Sequence, residues 1–347
     1  MLGEHNMKGN LGGNFESSRM SRRTFLGTTA VMTLAGATGG LFSSPVMAST
    51  ASGTLGSAPS YDDFLTAIRT FESSIDPALT AWYTQNYNTP GAVTYQDVDY
   101  PGRVIRDSTG QTTSSPASVK QYFTRIGVDS LYTPGSSDPT MFRQMQYHVI
   151  NYLGFVGYQF SEQDLWDLGY YTHYDAAGLP MYYADVPVSN WANGVRNKVM
   201  NLPRKGQVHV TDVNTWEGNF SGKHGIYSFS DFEDPTGQDF IAKDHFQNKY
   251  DGIVALLGQQ GKYISDYIGT TLYWDQLDPS VSPPPGGRPN AVVITTSGLL
   301  AGAHLRGAEG VATLLLNRKN PFDENHTYIL QYVYDFRGYQ TPFDNEV

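Results

Sequence analysis

Phe64-Leu65-Thr66-Ala67-Ile68-Arg69-Thr70-Phe71-Glu72-Ser73-Ser74-Ile75-Asp76-Pro77 is the stretch on which the reading of this chain turns. Phe64, Leu65, Ile68, Phe71 and Ile75 fall at helical spacing, which predicts an amphipathic helix. Ser60-Tyr61-Asp62-Asp63 has the form of a capping box that opens it, and Pro77 limits how far it runs. Glu72, four residues after Ile68, lies beside the apolar stripe. A carboxyl on an apolar wall suits general-acid chemistry, because burial disfavours its charged form. Asp76 is four residues further on, but Pro77 disturbs its geometry and no catalytic role is assigned to it.

Working outward, a helix is expected from near Pro139, with Met141, Met145, His148, Val149 and Tyr152 on one side, stopping at Gly154. Gly154-Phe155-Val156-Gly157-Tyr158-Gln159-Phe160-Ser161-Glu162 then sets an aromatic and an amide after a Gly-rich turn, and Ser161 caps a helix with Leu165, Trp166 and Leu168 inside, ending at Gly169. Further helices are expected over Asp239 to Leu257, Lys262 to Ile268 and Gly298 to Leu316, the last opened by Thr296 or Ser297. In that last helix Ala301, Gly302, Ala303, Gly307, Ala308 and Gly310 leave room for another backbone. Between these elements lie three irregular or β-rich insertions, near 86–139 (with strand-like Val93-Thr94-Tyr95 and a small helix near Val119–Ile126), 175–213 and 275–292. The fold class is therefore mainly α (α+β), one elaborated domain over 61–343.

The N-terminal segment is an address. Ser21-Arg22-Arg23-Thr24-Phe25-Leu26-Gly27 has the twin-arginine form, a weakly apolar run follows from Thr24 to Phe42, and Val46-Met47-Ala48 supplies small residues for cleavage. Residues 1–48 are expected to be a signal peptide and 49–60 a Ser/Gly/Ala linker; the membrane is touched only through the signal segment, if it stays uncleaved. The expected destination is periplasmic or secreted, by way of the twin-arginine export machinery. Removing Lys8, Arg19, Arg22, Arg23, Glu4 and Glu16 with that segment takes the net charge from −10 to −12, a surface that repels nucleic acid and anionic lipid. The chain has no cysteine, which excludes disulfides, iron–sulfur clusters, c-type haem and thiolate zinc. His209, His224 and His245 show no ligand spacing, so neither a metal nor a cofactor is expected. Tyr170, Tyr171, Tyr182 and Tyr183, among 24 tyrosines, either form platforms for sugar rings or cover the core.

Phe64 to Ser74 resembles the catalytic helix of the lysozyme-like superfamily, particularly lytic transglycosylases, in which a Glu-Ser pair ends the first core helix. Tyr152 to Glu162 resembles the motif that follows, where glycines and a glutamine form one wall of the sugar cleft. Thr215 to Ile226, Ser297 to Ala308 and Phe336-Arg337-Gly338-Tyr339 are similar to blocks in secreted and phage-associated members, in the same order from Tyr61 to Phe343. The resemblance implies a lysozyme-like helical domain that cleaves β-1,4 bonds of peptidoglycan or a related polysaccharide. Ordinary glycosidases use two carboxylates. Lytic transglycosylases use one, so Glu72 is the implied acid and then base, while the sugar's 6-hydroxyl closes an anhydro ring.

Ser73, Tyr158, Gln159, Phe160 and His304 are the implied substrate-binding residues. For Ser73 local hydrogen bonding, for Tyr158 and Gln159 a packed turn, and for His304 a satisfied core histidine are the structural alternatives. Glu162 is read as an acid meeting a helix start. The chain departs from the family in having about 85 residues between Glu72 and Gln159, in Gly-Tyr-Gln-Phe where Gly-Leu-Met-Gln is frequent, and in Ala303-His304 where Tyr-Asn is frequent. The alternatives are a hydrolase of peptidoglycan or another exopolysaccharide, and a non-catalytic glycan-binding or structural envelope protein.

Overall fold

The computed structural model describes residues 58–96, 98–99, 103–104, 114–150, 155–174, 180–185, 198–201, 208–211, 216, 218–277, 284–322 and 327–345. The signal segment, most of the linker, and Tyr152 to Gly154 lie outside the described residues.

The chain is mainly helical, with small antiparallel sheets. The predicted capping box opens helix α1 (Tyr61–Ser73): the Ser60 hydroxyl accepts from the Asp63 amide, and the Asp63 carboxylate accepts from the Ser60 amide at 2.8 Å. Ser74, at φ 57°, turns the chain out of the helix, and Asp76 accepts from the Ala78 amide at 2.9 Å to start a single 3₁₀ turn, Pro77–Leu79. Asp76 is thus a cap. Helix α2 (Thr80–Asn86) follows, which the sequence pattern did not announce.

The first insertion is built from strand β1 (Val93–Gln96), a short β2 (Val98–Asp99) and β3 (Arg103–Val104) pair, β4 (Ser114–Ala117) on β1, and helix α3 (Val119–Arg125), capped by Ser118 and Gln121. It has its own core, in which Tyr83, Phe123 and Tyr132 meet edge to face beside Ile75, Phe142 and Met145. Helix α4 (Pro139–His148) contributes Phe142 and Met145 to this core and ends at His148, earlier than the pattern of Val149 and Tyr152 predicts. Val149 is already extended, at ψ 126°.

Ser161 caps α5 (Glu162–Asp167) as expected, in a box with Asp164. The insertion near 175–213, expected to be irregular or β-rich, contains strands β6 (Pro180–Asp185), β7 (Lys198–Asn201) and β8 (Val208–Thr211), which join β5 (Tyr171–Tyr174) and β9 (Asn219–Phe220) in an antiparallel sheet of order β8-β7-β6-β5-β9. The β5–β9 pair, Tyr171 with Phe220, joins residues 49 apart and leaves no local signature in the sequence. Helix α6 (Pro235–Gly258) starts earlier than predicted, on the Asp234 cap with proline at its first position. Lys262 to Ile268 holds a 3₁₀ turn, Ile264–Asp266, and not a helix. The third insertion is closed by a two-stranded ribbon, β10 (Thr271–Tyr273) and β11 (Ala291–Val293).

Helix α7 (Thr296–Asn317) is capped by Thr295 and broken at Arg306 and Gly307; Gly307 sits at φ 75°, ψ 170°, a conformation that only glycine holds without strain. Its small residues do admit a neighbour. A Cβ on Gly298 would lie 2.6 Å from the Val333 carbonyl of α8 (Ile329–Asp335), a helix too short to stand out in the sequence. Phe64 and Ile68 of α1, Phe246 and Ile253 of α6, Leu299 and Leu305 of α7 and Val333 of α8 share the large core. Each such side chain contributes about 1.5–3 kcal/mol by leaving water.

Candidate functional site

Glu72 occupies the last turn of α1, where the apolar stripe carries it into the large core, and it is 0% exposed. Its side chain meets groups carried by other helices. His304 of α7 places Nε2 3.3 Å from Glu72 Oε1, and the Tyr332 hydroxyl of α8 donates to the same oxygen at 3.3 Å. The Gln159 amide donates to the Glu72 carbonyl at 3.1 Å, holding the turn after Val156 against the end of α1. Gln159 does so from a left-handed backbone, at φ 65°.

A second line of groups runs back from His304. Its Nδ1 lies 3.0 Å from His245 Nε2 on α6, the two rings at 90°, and His245 Nδ1 lies 3.9 Å from Asp164 Oδ1 on α5. Phe160 and Phe246 wall the pair of imidazoles with centroids 5.2–6.4 Å away. Asp164 Oδ2 in turn accepts from the Ser161 amide and hydroxyl at 3.0 and 2.8 Å. Glu162 accepts from the Trp216 amide and from the Tyr171 hydroxyl, which ties the start of α5 to the segment before β9.

Several predicted residues have other tasks. The Ser73 hydroxyl donates to the Thr70 carbonyl at 3.3 Å and accepts from the Ile75 amide at 3.2 Å, so it finishes α1 and does not orient Glu72. Tyr158 is fully buried, and its hydroxyl donates to Asp239 Oδ1 at 2.8 Å. Phe160 is likewise buried, stacked on Tyr158 at 5.3 Å. Neither lines an open wall. Gln159 and His304 do meet Glu72, one through its backbone and the other through its carboxylate.

The Tyr158 hydroxyl belongs to a knot centred on the buried Arg69. Arg69 donates to Gln146 Oε1 at 3.1 Å and to the hydroxyls of Tyr147 and Tyr158 at 2.7 and 3.1 Å, and lies 3.5 Å from Asp239 Oδ1. Tyr147 donates to Asp239 at 2.6 Å, and Arg143 approaches the other carboxylate oxygen at 3.7 Å. Burial pushes the Tyr147 hydroxyl up to about 12 and Tyr158 well above its usual range, so both remain neutral donors. The knot joins α1, α4 and α6 and fixes the helix that carries Glu72.

Near the surface, Asp244 of α6 accepts from Tyr170 at 2.8 Å and pairs with Lys223 at 2.7 Å. Burial raises its carboxyl, but the Lys223 and Tyr170 hydrogen bonds and the Lys223 charge outweigh this and hold it below the usual carboxylate range.

His245, Asp164, Tyr332 and Arg69 were not singled out as site residues by the sequence. Only the apolar spacing of Ile329, Leu330, Tyr332 and Val333 could have drawn attention to α8. Among the described residues no three His, Asp or Glu side chains converge as a metal site, and no helix is long and apolar enough to cross a membrane. No family model matches the chain, nor does any curated protein or solved structure.

Proposed function

We propose that the chain cleaves β-1,4 glycosidic bonds of peptidoglycan by lytic transglycosylase-like chemistry, after twin-arginine export and loss of residues 1–48. Glu72 protonates the leaving glycosidic oxygen. The sugar's 6-hydroxyl then attacks the anomeric carbon and returns its proton to the Glu72 carboxylate, so no second carboxylate and no cofactor is called for. The observation that carries the reading is the convergence of the five stretches on which the resemblance rests. Gln159 meets the Glu72 carbonyl, His304 its carboxylate, Trp216 the adjoining Glu162, Phe336 the ring of Phe71 at 5.6 Å, and the Tyr339 amide Ser297 at 3.3 Å. The five stretches are thus in contact around the end of α1, where His304 reaches the Glu72 carboxylate itself.

Complete enclosure of Glu72 favours a second reading, a non-catalytic envelope protein that binds glycan. Under the first reading, substrate has to open the Glu72–His304–Tyr332 contact to reach the acid. Mass spectrometry of the material released from purified peptidoglycan by the exported chain and by Glu72→Gln separates the possibilities. Anhydro-ended fragments that disappear in the variant are the expected result. Reducing-ended fragments would move the assignment to hydrolysis, and no release by either protein, with glycan still retained, to the binding reading.

A further inference from the structure

We infer that Gln146 of α4 is a positioning residue for Glu72, acting through the stretch of backbone on which Glu72 stands. Its effect on cleavage rests on the glycan-cleavage reading above; its hold on the end of α1 does not. Gln146 is buried, 3% exposed, and both ends of its amide engage residues that flank Glu72. Its Oε1 accepts from Arg69 Nε at 3.1 Å, while Nε2 donates to the Thr70 hydroxyl at 3.0 Å and to the Ile75 carbonyl at 2.8 Å. One side chain thus ties Arg69 and Thr70, just before Glu72, to Ile75 just after it.

The direction of this amide is fixed by partners that have a single role each. A guanidinium only donates, so Arg69 must face the oxygen, and a carbonyl only accepts, so Ile75 must face the nitrogen. The Thr70 hydroxyl can take either role and accepts here.

The end of α1 needs such a hold because the last carbonyls of a helix have no partner in the ladder. Ser74, at φ 57°, leads the chain away; its amide returns to the Phe71 carbonyl at 3.2 Å, and the Ser73 hydroxyl to that of Thr70 at 3.3 Å. The carbonyls of Glu72 and Ile75 are met from outside by two side-chain amides, Gln159 at 3.1 Å and Gln146 at 2.8 Å. Gln159 comes from the turn after Val156 and Gln146 from α4, so the backbone at Glu72 is gripped from two elements. Helix α4 is itself set by both cores, with Met145 in the small one and Tyr147 in the large one. A carboxyl that gives a proton to one oxygen and takes one back from another has to stand within about 0.5 Å of its working position. A displacement of about 1 Å costs on the order of a hundredfold in rate. Gln146 acts on where the carboxyl stands and takes no part in the proton transfers.

The test compares the exported chain with two variants. Gln146→Glu keeps an oxygen for Arg69 but sets a second oxygen against the Ile75 carbonyl, and Gln146→Met keeps the length and removes both contacts. Amide hydrogen exchange at Ser74 and Ile75 is expected to quicken about tenfold or more in both, with exchange in the middle of α6 unchanged. With solubilised glycan strands, kcat should fall about tenfold to a hundredfold while KM stays within about twofold and the circular dichroism spectrum is that of the parent. Unchanged exchange at Ser74 and Ile75 would overturn the inference. So would a kcat per folded molecule within about twofold of an active parent's, or a loss carried by KM alone. The parent supplies a check that needs no variant: the Gln146 side-chain amide protons should be resolved by NMR and exchange slowly with solvent, and a freely exchanging pair sinks the idea. Should the parent release no fragments while the exchange pattern holds, the clamp on α1 stands and the glycan-cleavage reading falls.

Discussion

The two cores of this chain are built from the same aromatic stock and differ in what they enclose. The small one, around Tyr83, Phe123, Tyr132 and Phe142, buries rings and aliphatic groups, and its phenols turn to backbone or neighbours, as Tyr83 does when it accepts from the Asp76 amide at 3.1 Å. The large one buries Glu72, Arg69, Glu162, Asp164, His245 and His304 as well. Burying a charged or titratable group costs several kcal/mol unless it is paired. The large core therefore has to satisfy six such groups by pairing, whereas the small core has almost none to satisfy. The described part of the 86–139 insertion shares the small core with Phe142 and Met145 of α4, and under the proposed function the reacting groups lie in the other core.

That contrast can be broken most sharply at Glu72. Glu72→Gln should cut fragment release by about 10²–10⁴-fold, the usual worth of a general acid–base group, with little change in the melting curve. Phe123→Ala is the converse experiment. It should cost about 3–5 kcal/mol in chemical denaturation, and the protein that stays folded should retain its activity per molecule. If Phe123→Ala abolishes release at a temperature where circular dichroism shows an intact fold, the small core is part of the site and the contrast fails.

Gly307→Ala probes the same large core through the backbone and should cost about 1–3 kcal/mol, since alanine is strained at this φ and ψ. Smallest is Asp244→Asn, at a partly exposed pair worth about 0.2–1 kcal/mol near neutrality. The Asp244 carboxyl is held below its usual range in the folded chain. Its contribution is therefore present above the unfolded value, about 3.9, and is lost as pH falls through the lower folded value. The difference in stability between Asp244→Asn and the parent should shrink on acidification through that window. A difference that is constant with pH would mean that the pair contributes through packing.

What the sequence disclosed and what it withheld divide along physical lines. The Ser60 and Ser161 caps, the α1 stripe ending in Glu72 and the small-residue face of α7 are local patterns, legible from spacing alone. The pairing of β5 to β9, the meeting of His245 with His304 across 59 positions, and the Arg69–Asp239 knot across 170 depend on tertiary contact and leave no periodic trace. Ser73 and Tyr158 take the structural alternatives named for them, local hydrogen bonding and a packed turn. The Ser73 hydroxyl bonds within its own helix end, which is local and legible, whereas the Tyr158 hydroxyl reaches Asp239 across 81 positions, which is not.

The break in α7 has an electrostatic side. Because the hydrogen-bond ladder is interrupted at Arg306 and Gly307, the element acts as two shorter dipoles in series and not as one. His304 stands two positions before the interruption, within the closing turn of the first half, where carbonyl oxygens give that end a partial negative charge. In an unbroken helix the same residue would sit mid-span and feel almost none of this field. A bend that looks like a packing convenience therefore places a source of potential beside the imidazole next to Glu72.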